Sequence, residues 1–292
     1  MNKISVVTDS NSGITQKQAE DLGVRVLPMP FLIDGETYFE DINLTQEQFY
    51  HHLEQDVAIS TSQPTPESVM QIWDELLEES DSVVHIPMSS GLSGSCQTAK
   101  LLAQEYGGRV QVVDNQRISV TQSQAVRDAK ELCERGMTAE QIKDYLEKVK
   151  FESSIYIMLD TLKYLRKGGR ITPAAAALGS ALRLKPVLQI QGEKLDAFTV
   201  ARTKKQGVSK MLSAMENDVI NRFGGMDNAS NIHFAVAHTK NEEAAAEFAE
   251  EIKKRFGVTA VDMAPLSLSI SCHIGPGALA IACSKAIKGQ ND

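Results

Sequence analysis

Long hydrophobic runs are absent from the sequence. A membrane-spanning helix needs roughly 20 mostly apolar residues, whereas apolar stretches such as residues 155–159 and 174–178 are far shorter. The N-terminus has one Lys and a short apolar run that ends at Thr8 and Asp9, without the hydrophobic region of a secretory signal. We therefore expect a cytoplasmic protein with no integral membrane segment.

Cysteine is sparse, and motifs for metals and nucleotides are missing. The four cysteines are far apart and form no C-x-x-C pair: Cys96, Cys133, Cys272 and Cys283. This spacing favours neither a disulfide framework nor a zinc knuckle, and it fits a reducing compartment. Neither the G-x-x-x-x-G-K-[ST] phosphate loop nor the H-E-x-x-H zinc motif occurs. The sequence therefore predicts no metal and no cofactor.

Positive charge is in deficit, because 30 Lys and Arg face 38 Asp and Glu and give a formal net charge of -8. Such a chain repels phosphate backbones unless it has a strong local basic patch. The nearest candidate, Arg202 with Lys204 and Lys205, is short and has no interleaved aromatic residues. We therefore expect no nucleic acid partner.

The length of 292 residues exceeds what one hydrophobic core usually spans, so we predict two domains. In the first half, short β-branched runs alternate with amphipathic helical stretches, which is typical of an α/β fold with βαβ units around a parallel sheet. The predicted strands there are 4–7, 24–27, 83–86 and 110–113, and the predicted helices are 15–22, 45–53, 67–78, 96–106, 120–133 and 139–149.

Beyond residue 151 the order changes, and the irregular spacing of strands indicates a separate α+β domain. The predicted strands are 155–159, 186–190, 195–200, 232–237 and 258–263, and a helix is predicted at 278–287. No Pro/Gly/Ser linker marks the division. We place it so that residues 1–152 form the first domain and residues 153–292 form the second.

Small polar residues follow three of the predicted strands, at residues 8–12, 87–95 and 114–115. Parallel α/β sheets bind ligands at the carboxyl ends of their strands. The second cluster is the richest, with four serines and two glycines between Ser89 and Ser95. These residues supply N–H and O–H donors without bulk, as an anionic oxygen requires. A set of helix caps is the simpler interpretation, but this number exceeds what a cap requires.

Two more segments carry donors next to predicted helices. Thr65 and Pro66 suit the N-cap and first position of a helix, which leaves Thr61 and Ser62 to face either a ligand or solvent. His273 precedes the predicted helix at 278–287, where it can donate a hydrogen bond to an anion or serve only as a structural histidine.

Two arginines are further candidates for binding an anion. Arg170 ends the glycine-rich turn 167–170, and Arg202 follows the predicted strand 195–200. A guanidinium at either place can pair with a carboxylate or a phosphate, or it can be an ordinary surface charge.

The segment Gly91-Leu92-Ser93-Gly94-Ser95 is close to the G-x-S-x-G nucleophile elbow, but serine replaces the last glycine and the strand ends too far upstream for the sharp turn that the elbow requires. Asp114 and His273 follow Ser93 in the order of a hydrolase triad. A serine hydrolase of lipid esters therefore stays an alternative, as does a binding protein for another small anion such as a phosphorylated metabolite.

Five motifs together resemble the signature of the DegV family, and they span nearly the whole chain. In order they are Val7-Thr8-Asp9-Ser10, Thr61-Ser62-Gln63-Pro64, Ser89-Ser90-Gly91-Leu92-Ser93-Gly94-Ser95, Lys167-Gly168-Gly169-Arg170-Ile171 and His273-Ile274-Gly275-Pro276-Gly277-Ala278. Ser95 departs from the expected threonine but keeps the hydroxyl.

The resemblance implies a two-domain α/β protein that binds a long-chain fatty acid, such as palmitate, stearate or oleate, between and within its domains. Some members are the lipid-binding subunit of bacterial fatty acid kinase, in which a separate ATP-dependent subunit phosphorylates the carboxylate. It therefore implies a binding protein that is not itself an enzyme. The implied carboxylate contacts are Thr61 and Ser93, with Ser62, Gly94, His273 and Arg202 around them and Arg170 in a partner or transfer role.

An acyl chain needs an apolar tunnel, and the second domain offers apolar residues that can line one or form an ordinary core. We expect the tunnel at Ile155, Ile157, Leu159, Leu178, Leu188, Ile190, Phe198, Phe234, Val236, Val261 and Leu266. We also expect the donors of Thr61, Ser93 and His273 to converge on one carboxylate.

Overall fold

The computed structural model describes residues 3–55, 57–170, 172–177, 184–192 and 194–287. The chain divides into two compact units. Unit 1 comprises Met1–Lys150 with Ser267–Cys272, and unit 2 comprises Phe151–Leu266 with His273–Asp292. The sequence prediction assigned all residues after 152 to the second domain, so it did not foresee that Ser267–Cys272 belongs with unit 1.

Unit 1 is built from strands and helices that alternate as the sequence predicts. Its strands are β1 (Ile4–Asp9), β2 (Arg25–Leu27), β3 (Pro30–Ile33), β4 (Glu36–Phe39), β5 (Ile59–Thr61), β6 (Ser82–Ile86) and β7 (Val110–Val112). Its helices are α1 (Gln16–Leu22), α2 (Gln46–Glu54), α3 (Pro66–Glu79), α4 (Ser95–Leu102), α5 (Ser119–Glu134) and α6 (Ala139–Lys148). The main sheet has the order β2-β1-β6-β7, and its pairs are all parallel. The predicted parallel sheet is therefore confirmed.

Threonine side chains determine where several of these helices begin. Thr15, Thr45 and Thr138 each accept a hydrogen bond from the backbone three residues ahead, and a glutamine at that position bonds back to the threonine. This reciprocal pair satisfies two backbone donors that a helix start otherwise leaves unpaired. Thr65 caps α3 through the N–H of Ser68, with Pro66 at the first helical position, as the sequence predicts.

A second, small sheet of unit 1, in the order β4-β3-β5, was missed by the sequence analysis. β3 and β4 form a hairpin across Asp34 and Gly35, whose φ angles are 51° and 88°. An Asp-Gly pair between two short apolar runs is a strong hairpin signal, because both central residues of the tight turn need positive φ. β5 pairs with β3 and ends at Thr61, so this sheet positions one of the candidate site residues.

Unit 2 contains a mixed sheet of six strands in the order β10-β9-β8-β13-β11-β12. Its strands are β8 (Ser153–Met158), β9 (Lys185–Ile190), β10 (Asp196–Ala201), β11 (Ile232–His238), β12 (Asp262–Pro265) and β13 (Leu279–Lys285). The helices that follow α6 are α7 (Lys163–Gly168), α8 (Pro173–Ala177), α9 (Lys204–Arg222), α10 (Glu242–Phe256) and α11 (Leu268–Ile274).

The prediction of a helix at 278–287 was wrong, because this segment contains β13, a central strand between β8 and β11. Its alanines favour a helix on propensity alone. In the sheet, however, Ala280 and Ala282 alternate with Leu279 and Ile281, and all four are buried. A strand covered on both faces can be apolar throughout, so it lacks the polar alternation that marks a half-exposed strand. The predicted strand at 258–263 is likewise shifted, to β12.

The two faces of the unit 2 sheet differ in side-chain size. α9 and α10 pack on one of them, which we term the helix-packed face: Tyr156, Met158, Val187, Phe234, Val236, Leu279, Ile281 and Cys283. By strand register, the opposite face carries Ile155, Ile157, Leu188, Ile190, Ala235, Ala237, Ala280 and Ala282, and we term it the alanine face. Because alanine is much shorter than isoleucine or leucine, the alanine face is lower along β11 and β13 than along β8 and β9.

The segment Ser267–Cys272, which we term the crossing segment, is held in unit 1 by polar contacts. The backbone N–H of Leu268 donates to Glu40 Oε2 at 2.9 Å, and Ser271 Oγ accepts from the Tyr50 hydroxyl at 3.2 Å. Ser269 donates to the Asn11 side chain. The same helix, α11, continues to His273, where the chain returns to unit 2.

Raising the pH is expected to destabilise the protein through Glu40. Burial raises the pKa of Glu40 from its ordinary value of 4.5 to about 8, against the opposing N–H of Leu268. The folded side chain therefore keeps a proton that the unfolded one releases above about pH 4.5. Stability from this group is present below that pH and is lost as the pH rises to about 8, with a slope of at most about 1.4 kcal/mol per pH unit.

Urea unfolding at a series of pH values checks this expectation. Glu40→Gln should be less pH-dependent than the wild type between about pH 5 and pH 8, because the amide keeps an acceptor for Leu268 without titrating. An unchanged slope in Glu40→Gln would show that another group dominates this range.

None of the helices that the structure describes is long and apolar enough to cross a membrane. Within the same described ranges, His, Cys, Asp and Glu side chains form no cluster of three or more that could hold a metal ion.

Candidate functional site

The serine-rich loop between β6 and α4 holds itself in place through its own hydroxyl groups. Ser93 Oγ accepts from the N–H of Ser95 at 3.2 Å, and Ser89 Oγ accepts from the N–H of Gly91 at 3.3 Å. Ser93 is half-buried, and its role as acceptor leaves its own O–H available as a donor. The loop therefore presents a hydroxyl donor next to the start of α4.

The Thr61–Gln63 segment lies beside this loop in unit 1. Gln63 Oε1 accepts from Thr98 Oγ1 of α4 at 3.2 Å, and it lies 3.3 Å from where a Cβ at Gly94 would be. The structure thus brings the Thr61–Gln63 segment next to the loop that carries Ser93, and the contact is made by Gln63, which the sequence does not single out. Ser62 is less suited to bind a ligand, because its hydroxyl already donates to the Gln63 carbonyl at 3.2 Å.

His273 lies in the last turn of α11 and not before a helix, so the predicted help from a positive helix end is wrong. Burial, together with the nearby charge of Arg170, lowers the pKa of His273 to about 4. The ring is therefore neutral near pH 7, with one N–H donor and one acceptor nitrogen. The structure brings His273 and Arg170 together within unit 2.

Gly168, at the end of α7, is a positioning residue that the sequence analysis did not single out. A Cβ added at Gly168 would lie 2.2 Å from His273 Nδ1 and 2.9 Å from Cε1, far inside contact distance. The Gly168 carbonyl also accepts a hydrogen bond from the Arg170 guanidinium. A glycine in contact with a histidine ring marks close backbone approach, and the Gly-Gly pair at 168–169 was its signal in the sequence.

Arg202 is exposed at the end of β10, where its backbone N–H donates to Gln206 Oε1 at 2.7 Å. Its guanidinium makes no hydrogen bond or ion pair with the described residues, so it is available to an anion. β10 ends beside Lys185 of β9, which in turn pairs with Asp160 at 2.8 Å just before α7. The topology therefore places Arg202 and the α7–Arg170 segment at the same end of the unit 2 sheet.

Two other predicted features have structural roles instead. Asp9, in the first polar cluster, is buried and accepts from the N–H groups of Met88 and Asn11 at 2.7 and 3.0 Å and from Gln122 Nε2 at 3.2 Å. Burial raises the pKa of Asp9. Asp114, proposed for a hydrolase triad, pairs with Lys100 at 3.5 Å. Neither carboxylate orients a histidine through these contacts.

The expectation that all of these apolar residues line one acyl tunnel was wrong. Phe234 and Val236 lie on the helix-packed face, whereas Ile155 and Ile157 lie on the alanine face, because strand residues alternate between faces. One channel on one side of the sheet cannot contact both pairs. Leu178 lies outside the described residues.

The fold and these polar loops define a class: a two-unit α/β protein with uncharged donors at the ends of a parallel sheet, a neutral histidine, and no metal or nucleotide motif. The family model for DegV, a family described as uncharacterised, matches residues 3–286. The chain belongs to the DegV family.

Relatives match along nearly their whole lengths. A DegV domain-containing protein of Deinococcus radiodurans is 32% identical over 282 residues, covering 96% of this chain and 97% of that protein. The fatty-acid-binding DegV family protein of Thermus thermophilus is 33% identical with a TM-score of 0.88, covering 97% of this chain and 99% of that one. DegV of Bacillus subtilis, a fatty acid binding protein, is 28% identical with a TM-score of 0.86, covering 98% and 100%.

Proposed function

We propose that this protein binds a long-chain fatty acid and presents its carboxylate to a separate kinase. The observation that carries the binding is the match to the fatty-acid-binding relative from Thermus thermophilus, at 33% identity across 97% of this chain. The donor set of the two units supports it. Hydroxyls at Thr61 and Ser93 and a neutral His273 suit a carboxylate, which accepts several hydrogen bonds.

Unit 2 also carries two positively charged groups. Arg202 and Arg170 are exposed guanidinium groups at one end of its sheet, and either can pair with a carboxylate. His273 keeps its N–H donor without charge at neutral pH, since its pKa is about 4. That all these groups converge on one carboxylate stays a prediction.

The acyl chain is assigned in this proposal to the alanine face. The short side chains of Ala280 and Ala282 of β13 lie at its centre, and the longer side chains of Ile157 and Leu188 lie beside them. At about 0.8 kcal/mol per buried methylene, a C16 or C18 chain gains on the order of 10 kcal/mol before immobilisation and desolvation are subtracted. Chain burial therefore supplies most of the affinity, and the polar end mainly fixes orientation.

Extraction of the purified protein followed by mass spectrometry of the released lipid tests the binding directly. A fatty acid present at close to one per chain supports the proposal. A phosphorylated metabolite in its place would favour the other small-anion alternative, and turnover of lipid esters by the pure chain would favour the hydrolase.

Ser93→Ala is expected to retain most of the lipid affinity, with a loss of about tenfold, because a hydrogen bond to a charged group contributes about 1.5–3 kcal/mol and Ser93 is only half-buried. Displacement of a fluorescent fatty acid measures this change. Ser68→Ala, at an exposed serine of α3, is the matched control and should bind as the wild type does. Complete loss of binding in a folded Ser93→Ala protein would contradict the assignment of affinity to the acyl chain.

The chain has no phosphate-cradling loop, so in this proposal phosphorylation of the bound acid requires a second, ATP-dependent protein. Positive charge near the carboxylate then stabilises the charge that develops during phosphoryl transfer. Arg170→Ala and Arg202→Ala are expected to slow acyl phosphate formation by about tenfold or more, while fatty acid affinity changes by less than about threefold.

The assay loads each variant with fatty acid, adds the cognate kinase subunit and ATP, and follows acyl phosphate. Lys254→Ala, which removes an exposed charge from α10, controls for net charge. Transfer at the wild-type rate in both arginine variants would contradict the role proposed for the arginines. Phosphorylation by the isolated chain would contradict the need for a separate kinase.

A further inference from the structure

A small cavity of about 10 Å³ lies inside unit 1, beneath the serine-rich loop. Apolar groups form most of its wall, and four polar side chains interrupt them: Asp9, His85, Ser95 and Thr98. The residues that line it are Asp9, Leu27, Met29, Pro64, Val69, His85, Pro87, Ser95 and Thr98. It is therefore a small space with a polar section next to the loop that presents Ser93.

Two of the polar groups at this cavity are buried without a hydrogen-bond partner among the residues that the structure describes. Both ring nitrogens of His85 and the hydroxyl oxygen of Ser95 are in this state. His85 is only 2% exposed, and its burial lowers its pKa to about 4. A buried polar atom without a hydrogen-bond partner is destabilising. Two such groups at one cavity therefore favour a ligand that bonds to both.

We propose that the cavity binds one ordered water molecule, held by a ring nitrogen of His85 and the hydroxyl of Ser95. The volume of about 10 Å³ matches the space of a single water and excludes a larger ligand. Neutral imidazole and a hydroxyl can each donate or accept, so they suit a water in either orientation. Asp9 supplies a third polar wall, and buried waters typically make about three hydrogen bonds.

This water also has a positioning role at the candidate site. Ser95 begins α4, and its N–H donates to Ser93 Oγ. A water that anchors the Ser95 side chain to His85 of β6 fixes the residue that orients the Ser93 hydroxyl. Ser95 and His85 are thus positioning residues for the carboxylate. This second step rests on the proposed function, whereas the presence of the water does not.

A crystal structure at a resolution that shows ordered water tests the first step. A peak within hydrogen-bond distance of a His85 ring nitrogen and Ser95 Oγ is the expected result. Oxygen-17 relaxation dispersion should count one fewer long-lived internal water in Ser95→Ala than in the wild type, with Ser68→Ala unchanged. A dry cavity, or a direct His85–Ser95 hydrogen bond, would overturn the proposal.

Fatty acid dissociation tests the second step. Ser95→Ala is expected to release a bound fatty acid about three- to tenfold faster than the wild type, whereas Ser68→Ala releases it at the wild-type rate. Equal rates in all three proteins would overturn the positioning role. If the wild type binds no fatty acid at all, the proposed function fails, and the crystal structure still decides whether the water is present.

Discussion

Gly168→Ala is expected to weaken fatty acid binding by about one to two orders of magnitude. The new Cβ would lie 2.2 Å from His273 Nδ1, so either the ring or the end of α7 must move. The same change disturbs Arg170, whose guanidinium is bonded to the Gly168 carbonyl. The His273 donor is displaced, and a hydrogen bond to a charged group contributes about 1.5–3 kcal/mol. Displacement of a fluorescent fatty acid gives the dissociation constant.

Gly169→Ala is the matched control for this change. Gly169 has a φ of 67°, but no heavy atom lies within 4 Å of an added Cβ. Its alanine therefore strains the backbone by about 1–2 kcal/mol without pushing on His273. Gly169→Ala should lower the midpoint of urea unfolding while affinity stays near the wild-type value. Equal affinity losses in the two variants would mean that the turn as a whole, and not contact with His273, matters.

Asp218→Ala is expected to destabilise unit 2 by about 3–5 kcal/mol. Asp218 is 4% exposed. Its carboxylate pairs with Arg222 at 3.2 Å and accepts from the Tyr156 hydroxyl and Gln191 Nε2 at 2.8 and 2.9 Å. Removing the carboxylate leaves a cation and two polar groups without their shared partner, and a buried group that loses its partner keeps the full cost of desolvation. Urea unfolding followed by circular dichroism measures the change.

Two further variants separate the causes. Asp218→Asn keeps an acceptor for Tyr156 but loses the charge, so its free energy of unfolding should lie between those of the wild type and Asp218→Ala. Glu216→Ala removes the ion pair with exposed Arg255, and such pairs are worth less than about 1 kcal/mol. If the free energy of unfolding of Asp218→Ala lies within about 1 kcal/mol of the wild-type value, the network does not stabilise the unit.

Local signals made much of unit 1 predictable from the sequence. Its strands β1, β6 and β7 are short β-branched runs, and the threonine caps mark where helices begin. The small sheet was missed because strands of three or four residues give too few positions for a period to show, although the Asp34-Gly35 turn was readable. A turn signal depends on only two residues, so it can be recognised in a short segment. Periodicity needs a longer segment.

Unit 2 was less predictable, because burial on both faces removes the polar alternation from its central strands. β13 therefore resembled a helix, and this error placed His273 at the wrong helix end. The predicted tunnel lining rests on apolarity alone, and apolarity does not distinguish one face of a buried sheet from the other. Gly168 was missed for a different reason: its partner, His273, is more than a hundred residues away in the chain.

The crossing segment has a consequence for how the protein is made. A ribosome completes Lys150 long before it reaches Ser267–Cys272. Unit 1 is therefore incomplete until this late segment has been synthesised. Until then, Glu40, Asn11 and Tyr50 lack the contacts that this piece supplies. A gene fragment that encodes residues 1–150 should therefore yield a less stable product than the same unit within the whole chain. Coexpression with a peptide of residues 267–272 offers a route to restore it.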